Sequence, residues 1–283
     1  MKPISNPFSL SLSFLLFVGL TPIIHSQTKK SSDSKAIKTQ PSVTTKPNQL
    51  QFRPTQAQHN RPRVKAARES RQEDIRKLFT KYQIEYPPRQ VLLRIFKQED
   101  LLELWVLPEK NKSFVRLKDY AICAKSGDLG PKRRRGDLQV PEGFYQVTHF
   151  NSQSTFHLAL LINYPNASDR IRGHPKNPGG DICIHGDCVT IGCIPLTDRW
   201  IQELYLICLD SKWRWGNPVQ VHIFPTRLDQ PGIQRLEREY SSQPNLVLFW
   251  KELQKGYQLF EQSHLPPRFF ITKNGAYRFL NSK

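Results

Sequence analysis

Thirteen consecutive residues, Asp181-Ile-Cys-Ile-His-Gly-Asp-Cys-Val-Thr-Ile-Gly-Cys193, hold three cysteines, one histidine and two glycines. Nowhere else does the chain gather a nucleophile, a candidate base and turn-permissive backbone so tightly. The apolar residues 182–185 read as a short strand, and Gly186 as the turn that ends it. Gly192 lets the backbone before Cys193 come close to another group. His185 and Cys193 can then face each other across a short loop.

The flanking runs agree with a sheet. Residues 91–96 and 101–107 read as a hairpin pair, with further strands over 114–123, 144–150, 155–162 and 219–224, the last closed by Pro225. Helical spacing appears over 66–82, where Ile75, Leu78, Phe79 and Tyr82 share one face and Pro87-Pro88 stops the chain. A second helix begins after Thr197, read as its cap, with Trp200, Ile201, Leu204, Tyr205 and Cys208 on its apolar face. Two more cover 232–240 and 246–263. Asn274-Gly275 turns a final hairpin over 269–272 and 277–280. The expected fold is mainly β with flanking helices, an α+β chain.

The front reads differently. Lys2, an apolar run over 8–20 and small or polar residues near Ser26 form an export signal with cleavage after Ser26; an uncleaved anchor is the alternative. No later stretch is long and apolar enough to cross a bilayer. Residues 27–65, rich in Ser, Thr, Lys, Gln and Pro, read as a disordered basic linker. The remaining divisions are a helical lead-in over 66–90, a catalytic domain over 91–225 and a helical and hairpin extension over 226–283. With Lys+Arg 42 against Asp+Glu 24 and a net charge of +18, the protein favours acidic partners. Nucleic acid is not among the expected ones: many of the basic residues lie in a low-complexity tether, without a recognition helix or stacking platform. The basic loop Gly127-Asp-Leu-Gly-Pro-Lys-Arg-Arg-Arg-Gly-Asp137 lacks the Lys-Ser/Thr ending of a nucleotide-binding loop.

Five cysteines in an exported chain leave at least one thiol unpaired if all pairing is internal. A nucleophilic cysteine needs a nearby imidazole or positive potential to hold a thiolate. Three readings stay open on residues alone. Cys193 can be a nucleophile with His185 as base. Cys188 and Cys193 can form a structural disulfide. The Cys-x4-Cys-x4-Cys run can bind zinc with His185 and His174.

The string Ile184-His-Gly-Asp-Cys-Val-Thr-Ile-Gly-Cys-Ile-Pro-Leu-Thr-Asp198 resembles the active-site signature of L,D-transpeptidase (YkuD-type) domains of the YafK-like subfamily. Tyr120-Ala-Ile, Ser126-Gly-Asp-Leu-Gly-Pro-Lys132, Gly136-Asp137, Val140-Pro-Glu-Gly-Phe-Tyr145, Asn163-Tyr-Pro-Asn166 with Asp169-Arg170, and Val221-His-Ile-Phe-Pro225 are similar to further blocks of that subfamily, as are Phe249-Trp250, Gly256-Tyr257 and Pro266-Pro267. The resemblance implies a mainly β domain with Cys193 and His185 at one end of a sheet. It implies attack by Cys193 on a peptidoglycan stem peptide, a thioester, and resolution by an amine of a second stem or of an envelope lipoprotein; resolution by water would make an amidase. Thr190, Gly186 and Gly192 would line the site, with the Gly192 and Cys193 amides donating to the oxyanion. Ile191 replaces the family's frequent histidine and Pro195 its frequent arginine. Substrate carboxylate binding is therefore sought at Lys132, Arg170 or Arg172, and a pocket wall at Tyr164. Asp137 and Glu142 would organise the loop. Cys123, Cys183 and Cys208 are expected as buried small hydrophobes. No cofactor and no metal is expected, and the location is the periplasm or cell envelope. The rival reading is a non-catalytic wall-binding protein with Cys188 and Cys193 oxidised.

Overall fold

The computed structural model describes residues 55–280. The export signal and most of the basic tether fall outside that range. Residues 55–65, read as tether, are largely helical: α1 (Gln56–His59) precedes α2 (Pro62–Lys81), which carries Pro62 at its first position, where a missing N–H costs nothing.

Eight strands form one sheet. They are β1 (Gln90–Phe96), β2 (Leu101–Leu107), β3 (Val115–Ala121), β4 (Gly143–Ser154), β5 (His157–Ile162), β6 (Cys183–His185), β7 (Ile194–Pro195) and β8 (Gln220–Phe224). Their order across the sheet is β3-β2-β1-β8-β4-β5-β6-β7. The hairpin expectation for β1 and β2 holds, from Gln90 opposite Leu107 to Phe96 opposite Leu101. β1 with β8, and β6 with β7, run parallel; the other neighbours are antiparallel.

β1 and β2 are buried almost throughout, which explains their near-continuous apolar sequence: the sheet is covered on both faces. Successive side chains serve opposite faces. Val91, Leu93 and Ile95 join one core with Val221, Ile223, Tyr145 and Val147, beneath α2 and α4 (Asp198–Trp215). Leu92 packs instead with Trp105 and Phe260. Phe96, Phe144 and Phe224 meet α5 (Gln230–Glu239), α6 (Pro244–Ser263) and the hairpin of β9 (Phe269–Ile271) and β10 (Tyr277–Phe279). Residues 226–280, read as part of a C-terminal extension, thus cover the second face of the sheet.

Two small elements were not expected. β7 is two residues long, too short to leave a pattern. α3 (Ala167–Arg172) is set by a reciprocal cap: the Asn166 side chain accepts from the Asp169 amide, and the Asp169 carboxylate accepts from the Asn166 amide. Thr197 does sit at the N-cap of α4, but its side chain makes no capping hydrogen bond.

Gly256 marks how closely α6 approaches the sheet. A Cβ there would lie 2.5 Å from Phe144 Cζ and from Phe279 Cε1. Helix propensity favours alanine over glycine by about 1 kcal/mol, whereas overpacking a core costs about 1–3 kcal/mol. Gly256→Ala is expected to lose up to about 2 kcal/mol net in denaturant unfolding. A midpoint equal to or above the native one would mean that this contact is looser than described.

Candidate active site

β6 lies between β5 and β7, and that position creates the site. Ala159 pairs with His185 on one side, and Pro195 pairs with His185 on the other. His185 is 1% exposed. Its Nδ1 hydrogen-bonds the Gly186 carbonyl at 2.5 Å, and the Phe156 ring lies over it at 4.8 Å. That leaves Nε2 for the neighbouring sulfur. Cys193 precedes β7, is half-buried, and opens on a cleft of about 300 Å³. Cys183 Sγ, a His185 ring nitrogen and Cys193 Sγ lie within 4.8 Å of one another. This spacing suits a thiol–imidazole relay and could also be bridged by a thiophilic ion.

The loop from 186 to 193 is anchored at three points. The Asp187 amide donates to Asp198 Oδ1 at 3.0 Å. Gly186 must be small there, because a Cβ would lie 2.5 Å from that same oxygen. Cys188 is bonded to Cys123. Thr190 Oγ1 accepts from the amides of Gly192 (3.1 Å) and Cys193 (2.8 Å), and donates to the Cys193 carbonyl at 2.9 Å. Gly192 has φ +136°, and a Cβ would lie 3.1 Å from the Gln139 carbonyl, so the expected close approach of backbone is present.

These anchors correct several expectations. Cys123 is not a buried free thiol, and Cys188 is not paired with Cys193; the two are joined to each other. The oxidised, non-catalytic arrangement therefore loses its premise, since Cys193 is free. The zinc set read from spacing is not assembled either: Cys188 is consumed, and His174 Nδ1 accepts the amides of Lys176 and Asn177. The Gly192 and Cys193 amides point at Thr190 rather than into an open oxyanion hole.

Three guessed substrate ligands are otherwise engaged. Lys132 is 4% exposed, ion-pairs with Asp137 at 2.5 Å and donates to the Arg134 carbonyl, so it closes its own loop. Arg172 grips both carboxylate oxygens of Glu252. The Tyr164 hydroxyl donates to the Pro178 carbonyl at 2.9 Å and its ring is buried; it supports a loop instead of walling the cleft. Arg170 is exposed on α3. Asp137 does organise its loop, accepting the amides of Arg133, Arg134 and Gln139. The cleft is lined instead by Lys97, Asp100, Lys125, Asp128, Glu239 and Tyr240, among others. No local pattern singles these out, because they come from separate segments.

The electrostatics favour a charged pair. A hydrogen bond from the Cys183 thiol outweighs burial and, with help from His185, pushes the Cys193 thiol down to about 5. The same bond and burial push Cys183 up. Burial opposes charge on His185, but its bonds to Cys193 and to the Gly186 carbonyl hold it above the ordinary imidazole value. Both shifts favour a thiolate on Cys193 beside an imidazolium at His185.

With this geometry in view, the relatives are informative. No protein-family model matches the chain. The Escherichia coli proteins YafK of strains K12 and O157:H7, which carry the provisional designation L,D-transpeptidase, are 39% identical over 190 residues, covering 66% of this chain and 72% of theirs. Among solved structures, the helical cell shape determining protein Pgp2 of Campylobacter jejuni is similar at a TM-score of 0.41 and 16% identity, over 66% of this chain and 74% of that one. Bd1075 of Bdellovibrio bacteriovorus gives 0.37 and 17%, over 66% and 78%.

Iodoacetamide labelling of Cys193, followed by peptide mass, should rise as pH climbs through about 5, the range in which the thiolate forms. His185→Ala should move that rise upward and slow labelling at pH 6 by about tenfold or more. An inflection near the ordinary thiol value, about 8.5, would contradict the thiolate–imidazolium pair.

Proposed function

The chain belongs to the L,D-transpeptidase family, in its YafK-like branch, and from that premise we propose that it is an exported cysteine acyltransferase acting on peptidoglycan stem peptides. The observation that carries this reading is the free Cys193 sulfur at the mouth of a cleft with His185 buried beside it. The Cys193 thiolate attacks a stem-peptide carbonyl. The His185 imidazolium gives its proton to the departing amine, leaving a thioester on Cys193. An amine of a second stem, or of an envelope lipoprotein, then attacks the thioester while His185 takes up its proton. The Gly192 and Cys193 amides serve as the oxyanion donors, and Thr190 Oγ1, their acceptor at rest, yields to the oxyanion. The cleft carries both signs of charge, Lys97 and Lys125 against Asp100, Asp128 and Glu239. That suits a peptide bearing carboxylates and an amine.

With this activity the protein works in the cell envelope, and it meets the membrane through the N-terminal signal if that segment stays uncleaved. Among the described residues no helix is long and apolar enough to cross a membrane.

Incubation of purified protein with muropeptides, read by mass spectrometry, tests the assignment. Cys193→Ala should lose turnover by more than about 1,000-fold. An added amine acceptor should appear in the product of a transferase, whereas an amidase releases the free acid in its presence. Equal remodelling by the variant would remove Cys193 from the chemistry.

A further inference from the structure

Cys183 makes and breaks no covalent bond in the steps above, yet its sulfur lies 3.6 Å from that of Cys193. The sheet explains the contact. β6 and β7 run parallel with Ile184 opposite Ile194 and His185 opposite Pro195. One step back on the same ladder sets Cys183 beside Cys193. Adjacent strands lie about 4.8 Å apart, inside the roughly 4.4–6.8 Å Cα separation that a disulfide spans. No comparable neighbour exists for Cys193 among the other cysteines: Cys208 is buried in the core on α4, and Cys123 and Cys188 are already bonded to each other. Cys193 faces the cleft, whereas Cys183 is 9% exposed behind it. A small oxidant thus meets Cys193 first, with a second thiol already in contact.

We propose that Cys183 is a resolving thiol, which closes a reversible Cys183–Cys193 disulfide when a hydroperoxide oxidises the nucleophile. In the first step the Cys193 thiolate attacks a peroxide oxygen. An S–O bond forms, the O–O bond breaks, and the leaving oxygen takes a proton from His185 and departs as an alcohol or water. The sulfur is oxidised by two electrons to a sulfenic acid, and the peroxide is reduced by two. In the second step Cys183 loses its proton and its sulfur attacks the sulfenic sulfur. The S–S bond forms, the S–O bond breaks, and hydroxide leaves with that proton as water. The linked site cannot attack a carbonyl. It is also protected from oxidation to sulfinic and sulfonic acids, which simple thiols do not reverse. An external dithiol restores both cysteines, becoming a disulfide itself.

This inference rests on the proposed function only in taking Cys193 as the reactive thiol, so its readout is thiol chemistry and not turnover. Full-length protein is exposed to hydrogen peroxide with a chelator present, denatured in an alkylating agent without reductant, and cleaved before Asp187 to separate Cys183 from Cys193. The wild type should show Cys183 linked to Cys193 beside an intact Cys123–Cys188 bond, with Cys193 alkylation recovered after mild dithiol treatment. Cys183→Ser and Cys183→Ala, each checked for the Cys123–Cys188 bond and a native melting curve, should instead accumulate sulfinic and sulfonic Cys193. Their recoverable fraction should fall by about tenfold. Irreversible oxidation in wild type and variants alike, or a Cys193 link to Cys188 in their place, would overturn the assignment. A wild type that forms the predicted link but leaves muropeptides untouched keeps this inference and defeats the acyltransferase reading. One that remodels muropeptides yet oxidises irreversibly defeats this inference alone.

Discussion

Glu142 is fully buried, and its carboxylate accepts from three distant segments: Lys97 Nζ at the end of β1, the Gly130 amide in the basic loop, and Trp250 Nε1 on α6. Lys97 in turn donates to the Gly130 and Val140 carbonyls. Removing a carboxylate from water costs several kcal/mol unless its oxygens are well occupied. Here sheet, loop and C-terminal helix together supply the donors. Taking one away would leave a charge stranded in the interior, which is far worse than never having built the pair. Lys97, Leu129 and Val140 also line the cleft at Cys193. The shape of that cleft is thus fixed by a charge pair lying below it.

The reactive loop shows the same economy at smaller scale. The Asp198 carboxylate, the bond to Cys123 and the Thr190 hydroxyl hold it at successive positions. On either side of Thr190, Val189 and Ile191 are left exposed. Rigid backbone on both sides of the sulfur suits a site whose chemistry depends on preset geometry. Ile191, 79% exposed, makes no imidazole available where related domains often have one. His185 therefore relies on the Gly186 carbonyl for its orientation.

How much of this could be read from residue order depends on how local the cause is. The strands were legible because burial on two faces turns β1 and β2 into unbroken apolar runs. His185 and Cys193 were legible as neighbours because one contiguous segment supplies both. The cysteine pairing was not. Cys123 reaches Cys188 only because β3 ends near β7, where the Cys123 amide bonds the Pro195 carbonyl. Lys132 read as a candidate substrate ligand, but its partner Asp137 sits in the same loop and draws it inside. The cleft residues come from β1, two loops and the end of α5, and only tertiary packing unites them.

One pairing inside the sheet joins chain regions far apart in order. β1 lies directly beside β8, with Leu92 opposite Gln220 and Phe96 opposite Phe224. During synthesis from the N-terminus, the β1–β2 hairpin can form early, yet the edge that β8 will occupy stays bare until after His185 and Cys193 have emerged. Such distant pairings make folding slow and leave unpaired backbone open to wrong partners. A newly made molecule therefore has Cys193 before it has its whole sheet, and the bare edge of β1 stays open to other chains until residues 220–224 arrive.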